Sequence, residues 1–267
     1  IDHGWLVQFV EHRIADRRVV RLIQKWLNAG VMEEGKRTRV EEGTPQGGPL
    51  SPLLANVLLD EVDKELEKRG HDFVRYADDC NVYVRSRRAG DRVMSLLRRL
   101  YAGLHLRINE SKSAVAKATQ RTFLGFAFWV ASGKAVRLRV SPKALGAMKD
   151  RVRRITRRTR GRSLPQICAD LRSYLGGWKG YFRLAETPRV FSDLDEWIRH
   201  RLRAVQLKQW KRGRTVYREL RARGLSSLRA AQVAANARSW WRNSAMAIHG
   251  ALPNSLFATL GVPRLGA

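Results

Sequence analysis

The first half of the chain alternates between helical and strand-like patterns of hydrophobic residues. Apolar side chains recur every three or four positions through residues 5–27 and 54–66, which predicts amphipathic helices there. Residues 73–76 and 80–84 instead alternate between apolar and polar side chains, as the strands of a hairpin do. These patterns predict an α+β fold for this half.

Cap and turn residues indicate where further elements begin and end. Ser51 is predicted to be the N-cap of the helix that includes residues 54–66. Asp91 is predicted to be the N-cap of a later helix. A strand is predicted over residues 106–109. Two more hairpins are predicted, one over residues 31–42 and one that turns at residues 132–134.

From residue 141 onward the pattern is helical and rich in arginine. Ser141 and Ser163 each precede a helical pattern, as N-cap residues do. The chain is therefore predicted to contain a mixed region at residues 1–140, an all-α region at 141–214 and a small helical tail at 215–267.

An acidic pair lies at the predicted tip of the hairpin 73–84. Asp78 and Asp79 stand between the two strand patterns, where burial of an uncompensated carboxylate would be costly. Hard divalent cations prefer oxygen ligands of this kind, and two-metal phosphoryl transfer needs them. For the pair taken alone, a solvated turn without chemistry is the alternative.

The charge of the chain indicates a polyanionic partner. Its 267 residues include 52 Lys and Arg against 24 Asp and Glu, a net charge of +28. Residues 1–133 hold 22 basic and 17 acidic residues, whereas residues 134–267 hold 30 and 7. Because arginine both grips phosphate and stacks on bases, this excess favours a nucleic acid over a membrane surface.

Other classes of protein fit the sequence poorly. Cys80 and Cys168 are too few and too far apart for a disulfide framework or a zinc ribbon, so both are predicted to be reduced core thiols. No apolar run is long enough to span a bilayer, and no signal peptide is recognisable. These features predict a cytoplasmic protein without a membrane partner.

Four segments, in order, resemble the successive motifs of reverse transcriptases. They are Pro45-Gln46-Gly47, Tyr76-Ala77-Asp78-Asp79, Leu106-Arg107-Ile108-Asn109 with Lys112, and Phe123-Leu124-Gly125-Phe126. Residues 175–182, with a Gly-Trp-x-x-Tyr-Phe pattern, resemble the thumb and maturase region of group II intron-encoded proteins. The resemblance covers nearly the whole chain and implies a partial reverse transcriptase palm followed by an all-α, basic thumb and maturase domain.

This resemblance implies an RNA-directed DNA polymerase that also assists the splicing of its own intron. Asp78 and Asp79 match the catalytic acidic pair, with Asp78 expected to ligate Mg²⁺ and Asp79 to support the metal site. The implied partners are group II intron RNA, an RNA template with a DNA primer, dNTPs and target DNA, most naturally in a bacterial cytoplasm.

Further residues take implied roles around the nucleotide and the primer. Those expected to contact nucleotide or template are Pro45, Gln46, Gly47, Gly48, Tyr76, Ala77 and Lys112, with Asn56 as a weaker member. Lys112 would lie near the leaving pyrophosphate, and a solvated surface lysine is its alternative. Phe123, Leu124 and Gly125 would support the primer strand.

Basic side chains of the second half are the candidates for RNA contact. They are Arg151, Arg153, Arg154, Arg157, Arg158, Arg160, Lys208, Lys211, Arg212 and Arg214. A solvated helix face is the alternative, but aromatic residues follow the arginines closely, as in nucleic-acid surfaces. The tail at 215–267 resembles the small DNA-contacting region of the family.

One part of the family pattern is not found here. The palm has a further aspartate on an earlier strand, in an Asp-Ile-Lys-x-Phe-Phe-Asp context that would end immediately before Ile1, and the fingers would also come earlier. Because two-metal sites share carboxylates, the third carboxylate is expected outside this chain, which alone is expected not to polymerise. A non-enzymatic splicing cofactor that binds RNA is the alternative, followed by a defence-associated reverse transcriptase. The oligomeric state is left open.

Overall fold

The chain folds into two compact units in a computed structural model, one at Ile1–Ala118 and the other at Thr119–Ala267. The structure describes residues 3–29, 31–33, 36–38, 50–159, 161–245 and 248–266, with the backbone alone for 31–33 and 36–38. Helices and small antiparallel sheets make up both units, so the fold is α+β as predicted.

Helices and hairpins build the first unit around its own apolar core. Its elements are α1 (His3–Arg13), α2 (Arg17–Leu27), β1 (Val31–Glu33), β2 (Lys36–Thr38), α3 (Ser51–Lys68), β3 (Asp72–Tyr76), β4 (Asp79–Tyr83) and α4 (Arg87–Gly103). Leu58, Val62 and Leu66 of α3 are fully buried, as their spacing predicts. β1 and β2 pair antiparallel, which confirms the predicted hairpin at residues 31–33 and 36–38, and the rest of the predicted range 31–42 lies outside the described residues.

Three local predictions in this unit are wrong. Ser51 is the first residue of α3, and the residue before it takes the N-cap position. The N-cap of α4 is Ser86, whose hydroxyl accepts a backbone N–H at 3.2 Å, so Asp91 lies inside the helix. Residues 106–109 are coil, because the chain bends back at the end of α4 and the amide of the first of them donates to a helix carbonyl at 2.8 Å.

The second unit joins a three-stranded sheet to a group of helices. Its elements are β5 (Thr122–Phe123), β6 (Phe126–Val130), β7 (Val136–Val140), α5 (Pro142–Ile155), α6 (Leu164–Tyr181), α7 (Pro188–Trp210), α8 (Gly213–Ala222), α9 (Ser227–Ala235), α10 (Trp240–Ala245) and α11 (Asn254–Thr259). The β6–β7 hairpin turns at residues 131–135, and Ser141 and Ser163 cap α5 and α6 through their side chains. These three predictions are confirmed.

The three-stranded sheet packs against the helical part of the chain that follows it. The ring of Phe126 lies 5.1 Å from that of Phe182, centroid to centroid, and the amide of Glu186 donates to the carbonyl of Leu138 at 2.8 Å. The division between the compact units therefore comes before the sheet. The functional regions 1–140, 141–214 and 215–267 stay predictions.

Both cysteines are free thiols in the structure. Cys168 is buried in the core of the second unit, and Cys80 is half-buried on the face of the acidic hairpin that packs on the core of the first unit. Burial raises the pKa of each thiol to about 11. Raised pKa values and free sulfurs agree with the predicted role as reduced core residues.

Two buried arginines of α7 fasten the end of the chain to that helix. Arg199 donates to the carbonyl of Val262 at 3.2 Å. Arg203, which is 2% exposed, donates to the carbonyl of Leu252 at 2.9 Å and to the side-chain oxygen of Asn254 at 2.7 Å. Burial lowers the pKa of the Arg203 guanidinium, so these hydrogen bonds are its main compensation.

Replacing Arg203 with alanine should destabilise the second unit by roughly 3 kcal/mol, because the change leaves the buried carbonyl of Leu252 unpaired and opens a cavity. Urea unfolding followed by tryptophan fluorescence measures the effect. The control is Arg229→Ala, at an exposed position of α9, which should change the free energy of unfolding by about 0.5 kcal/mol or less. Equal effects of the two changes would contradict the anchoring role.

Candidate functional site

The acidic pair lies at the tip of a tight antiparallel hairpin, as the sequence predicts. Tyr76 of β3 pairs with Asp79 of β4, which leaves Ala77 and Asp78 as a two-residue turn. Ala77 has a φ of 53°, in the left-handed region that a residue with a Cβ enters at a cost of about 1 kcal/mol. Both aspartates are exposed, so the structure presents two carboxylates to solvent at one point.

The two faces of this hairpin have different surroundings. Phe73, Cys80 and Val82 point inward and pack against the apolar core of the first unit. Val74 and Tyr76 lie on the outer face, where they are 46% and 64% exposed. The hairpin is therefore anchored by one face, and its acidic tip stands beside an open apolar surface.

Arg75 lies on the inner face and ties the turn to α3. Its Nε donates to both carboxylate oxygens of Asp63, at 2.8 and 3.0 Å, and its Nη2 also pairs with that carboxylate. Its Nη1 donates to the side-chain oxygen of Asn56 at 2.8 Å and to the carbonyl of Ala77 at 3.0 Å. The hydrogen bond to Asp63 is the main cause of the raised pKa of Arg75.

Sequence reasoning missed this arginine. The available signal was its position, because Arg75 alternates with Phe73 on the side of the strand that faces the core. A cation at such a position requires an acidic partner from another element. The partner, Asp63, lies next to the buried Val62 on α3.

Two ionisable side chains lie beneath the turn. Burial raises the pKa of Tyr101 to about 12, and the nearby charge of Asp78 adds to the shift. Tyr101 packs against the core of the first unit together with Cys80. Tyr101 and Cys80 are therefore both protonated and uncharged at neutral pH.

Lys112 lies on a separate turn after α4. Its amide donates to the carbonyl of Asn109 at 3.1 Å, and the Ser111 hydroxyl donates to the side-chain oxygen of Asn109 at 2.7 Å. Arg98 and Glu110 pair at 2.9 Å beside this turn. The Lys112 side chain is exposed, and its role at the pyrophosphate stays a prediction.

Part of the predicted nucleotide site lies outside the described residues. Pro45, Gln46, Gly47 and Gly48 belong to this part, and Arg160 of the predicted RNA surface is likewise outside it. Asn56, predicted as a weaker member of the site, lies on α3 and contacts Arg75. The structure therefore connects Asn56 with the acidic turn.

The predicted primer-support residues form a second tight turn, in the other unit. Phe123 pairs with Phe126, and the two turn residues Leu124 and Gly125 have φ values of 50° and 78°. A Cβ on Gly125 would come within 3.1 Å of the ring of Phe182. The hydroxyl of Tyr181 donates to the carbonyl of Leu124 at 3.0 Å, so the maturase-like segment supports this turn directly.

Basic side chains converge on two tryptophans of the second unit. The guanidinium groups of Arg153 and Arg201 lie 5.8 and 5.3 Å from the ring centre of Trp197. Arg158 and Lys208 similarly lie 5.3 and 4.0 Å from the ring of Trp240. The structure thus brings Arg158, from the turn after α5, and Lys208, from α7, to one ring, and it adds Arg201, which the sequence did not predict as an RNA contact. We call Arg153, Arg158, Arg201 and Lys208 the cation cluster.

Like charges crowd one another in this cluster. Burial lowers the pKa of the Arg201 guanidinium, and the charges of Arg158 and Arg153 lower it further. Its Nε donates to the hydroxyl of the buried Thr156 at 2.7 Å, which fixes its position. A polyanion would relieve this repulsion. The other predicted RNA contacts Arg151, Arg157, Lys211, Arg212 and Arg214 are exposed, and so is Arg154.

Within the described residues, no three or more His, Cys, Asp or Glu side chains come together in a way that could hold a metal ion. In the same part of the chain, no helix has the length and apolarity needed to cross a membrane.

Comparison with protein families agrees with the two-part pattern of the sequence. Residues 1–128 match the family described as reverse transcriptase (RNA-dependent DNA polymerase). Residues 145–224 match the domain described as group II intron, maturase-specific domain. The two matches follow one another without overlap and include both the acidic turn and the cation cluster.

Curated relatives match a shorter segment. The group II intron-encoded protein LtrA of Lactococcus lactis subsp. cremoris is 47% identical over 64 residues, which is 24% of this chain and 11% of that protein. YkfC of Escherichia coli is 41% identical over 69 residues, 26% of this chain and 18% of that protein. An uncharacterized 91 kDa protein in the cob intron of Schizosaccharomyces pombe is 38% identical over 73 residues, 27% and 9% of the respective chains. The matched segment thus spans less than a fifth of each of these relatives.

Proposed function

This chain belongs to the family of reverse transcriptases and maturases encoded by group II introns, and we propose that it supplies the acidic part of a polymerase active site and a surface for intron RNA. The reaction is RNA-templated DNA synthesis. In it the 3′-hydroxyl of a DNA primer attacks the α-phosphorus of a dNTP, and pyrophosphate leaves. The observation that carries this proposal is the exposed Asp78-Asp79 turn, held on α3 by Arg75.

The acidic pair has the donor chemistry that Mg²⁺ requires. In phosphoryl-transfer enzymes this ion is commonly held by one or two carboxylates, with waters and substrate phosphates completing the shell. In the proposed site Asp78 binds the ion and Asp79 supports it. Bound Mg²⁺ would neutralise charge that develops on the phosphates.

Other side chains would position the substrates. Tyr76 and Ala77 border the dNTP and the primer end, and Lys112 neutralises or protonates the leaving pyrophosphate. The loop of Pro45, Gln46, Gly47 and Gly48 lies beside the templating base. Phe123, Leu124 and Gly125 support the primer strand, and their rigid turn suits that role.

A primer-extension experiment tests the polymerase assignment. The protein for this experiment joins the N-terminal part of LtrA to residue 1 of this chain. The added part is meant to supply the expected third carboxylate and the fingers, and the fusion is called the completed protein below. It should extend a DNA primer on an RNA template when Mg²⁺ is present. A completed protein that folds and assists splicing but does not extend the primer would favour the non-enzymatic splicing cofactor instead.

The maturase assignment is carried by the cation cluster. Its charges come from α5, from the turn after α5 and from α7, and each pair of cations lies over a half-buried tryptophan. Such an arrangement offers phosphate contacts along a surface that apolar packing keeps rigid. We assign intron RNA to this surface. We assign target DNA to residues 215–267, where Arg229, Arg238 and Arg242 are exposed.

RNA binding by the intact chain should weaken steeply with salt. If six or more phosphates are engaged, the association constant should fall by roughly three decades between about 50 and 200 mM salt, because bound counterions are released. Fluorescence anisotropy with a labelled group II intron fragment measures it. A flat response would exclude an electrostatic surface.

A further inference from the structure

We propose that Arg75 is a positioning residue for the acidic pair: its guanidinium sets the direction of the Asp78 carboxylate by holding the preceding carbonyl on α3. The inference rests on the proposed polymerase function, because it assigns a role within the same site. It concerns a residue that does not itself touch nucleotide, primer or metal.

The contacts of Arg75 form a bridge with two ends. At one end, Nε and Nη2 grip the carboxylate of Asp63 as a fork, a geometry that fixes the plane of the guanidinium. At the other end, Nη1 donates to Asn56 and to the carbonyl of Ala77, the residue immediately before Asp78. The turn is thereby fixed to two residues of α3 that are two helical turns apart.

Burial makes the Asp63 end of this bridge rigid. The side chains of Arg75 and Asp63 are 11% and 19% exposed, so solvent screens their attraction less than it screens a surface pair. Phe73 and Cys80 pack on the same face of the hairpin. The guanidinium is therefore held in one place by both charge and packing.

The turn needs such support because of its own sequence. Two-residue hairpin turns with positive φ normally use glycine, asparagine or aspartate at that position, and here it is Ala77 at 53°. The hydrogen bond from Arg75 to the Ala77 carbonyl offsets part of that strain. Without it, the turn would sample other conformations, and the Asp78 carboxylate would move with them.

Lysine at position 75 provides the discriminating variant. It keeps the charge, but its ammonium cannot bind Asp63 as a fork and reach the Ala77 carbonyl in the same geometry. The matched control is Arg69→Lys. Arg69 also pairs with a carboxylate on α3, Glu65, but at an exposed position away from the turn.

Amide hydrogen exchange in the intact chain gives a readout that does not depend on activity. In Arg75→Lys, amides of residues 76–80 should exchange at least about tenfold faster, because losing the bridging hydrogen bond costs on the order of 1.4 kcal/mol. Amides of α3 and α4 should keep their protection, and Arg69→Lys should change neither set. Should Arg75→Lys fail to fold, Asn56→Ala, which removes one anchor only, should speed exchange at residues 76–80 about threefold.

Kinetics in the completed protein give the second readout. Arg75→Lys should lower kcat for primer extension at least about tenfold and raise the half-saturating Mg²⁺ concentration severalfold. A purely structural loss would lower kcat by reducing the folded fraction and leave the Mg²⁺ dependence unchanged.

The outcomes separate this inference from the function on which it rests. Unchanged exchange at residues 76–80, or unchanged kcat and Mg²⁺ dependence in a folded Arg75→Lys protein, would overturn the positioning role. If Asp78→Ala retains primer extension, the proposed function fails instead, and hydrogen exchange still decides whether Arg75 holds the turn.

Discussion

Replacing Asp78 with alanine in the completed protein should lower RNA-templated primer extension by about a thousandfold or more. The change removes a hard oxygen ligand at the tip of the β3–β4 hairpin and leaves the exposed turn otherwise intact. Because the carboxylate is exposed and Arg75 holds the turn through a backbone carbonyl, folding should be preserved. Single-turnover extension at saturating Mg²⁺ measures the loss.

Asp72→Ala is the matched control for this experiment. Asp72 is also exposed and lies on the same hairpin, but it pairs with Tyr83 at the end remote from the turn. It should retain extension within about twofold. Extension that survives in Asp78→Ala, or an equal loss in Asp72→Ala, would contradict the assignment of Asp78 to the reaction.

Local patterns in the sequence were sufficient to predict the acidic hairpin. The alternation of apolar residues on both sides of Asp78-Asp79 specifies strands, and two intervening residues leave little choice of turn. The buried face of α3 was predictable for the same reason, because Leu58, Val62 and Leu66 are spaced four residues apart. The hairpin and the buried face of α3 both depend on residues that are close together in the sequence.

Contacts between distant segments could not be predicted in this way. The ion pair of Arg75 with Asp63 depends on how the hairpin packs against α3. No local pattern in the sequence predicts which carboxylate will pair with an inward-facing arginine. The cation cluster is similar, because Arg158 reaches Trp240 from the turn after α5 and Lys208 reaches it from α7. The sequence predicts both cations as RNA contacts, but it does not predict that both lie over the ring of Trp240.

Cap residues show a smaller failure of local reasoning. Asp91 and Ser86 are both good N-cap residues, and the helix that begins after Ser86 is longer by more than one turn. The glycine at position 90 disfavours helix by propensity, but it is buried where a Cβ would lie 2.5 Å from Val115. Tertiary packing therefore extended α4 beyond the start that propensity predicted.

Neutralising the cation cluster should have the second largest effect. Arg153→Gln, Arg158→Gln and Lys208→Gln in one protein should weaken RNA binding by one to two decades at about 100 mM salt, and should reduce the slope of log K against log salt by about 2 to 3. Glutamine removes the charge but keeps the Cβ, Cγ and Cδ atoms of each side chain, so the packing around Trp197 and Trp240 should largely survive. Anisotropy titrations over a salt series measure both quantities.

The control for this triple change has the same net charge but another position. Arg87→Gln, Arg88→Gln and Arg92→Gln remove three exposed charges from α4 of the first unit. If only net charge matters, both triple variants should weaken binding equally, and the proposed surface would be wrong. If the cluster binds intron RNA, its variant should lose splicing assistance while Asp78→Ala retains it. This separation follows because the acidic turn and the cation cluster lie in different compact units, each with its own core.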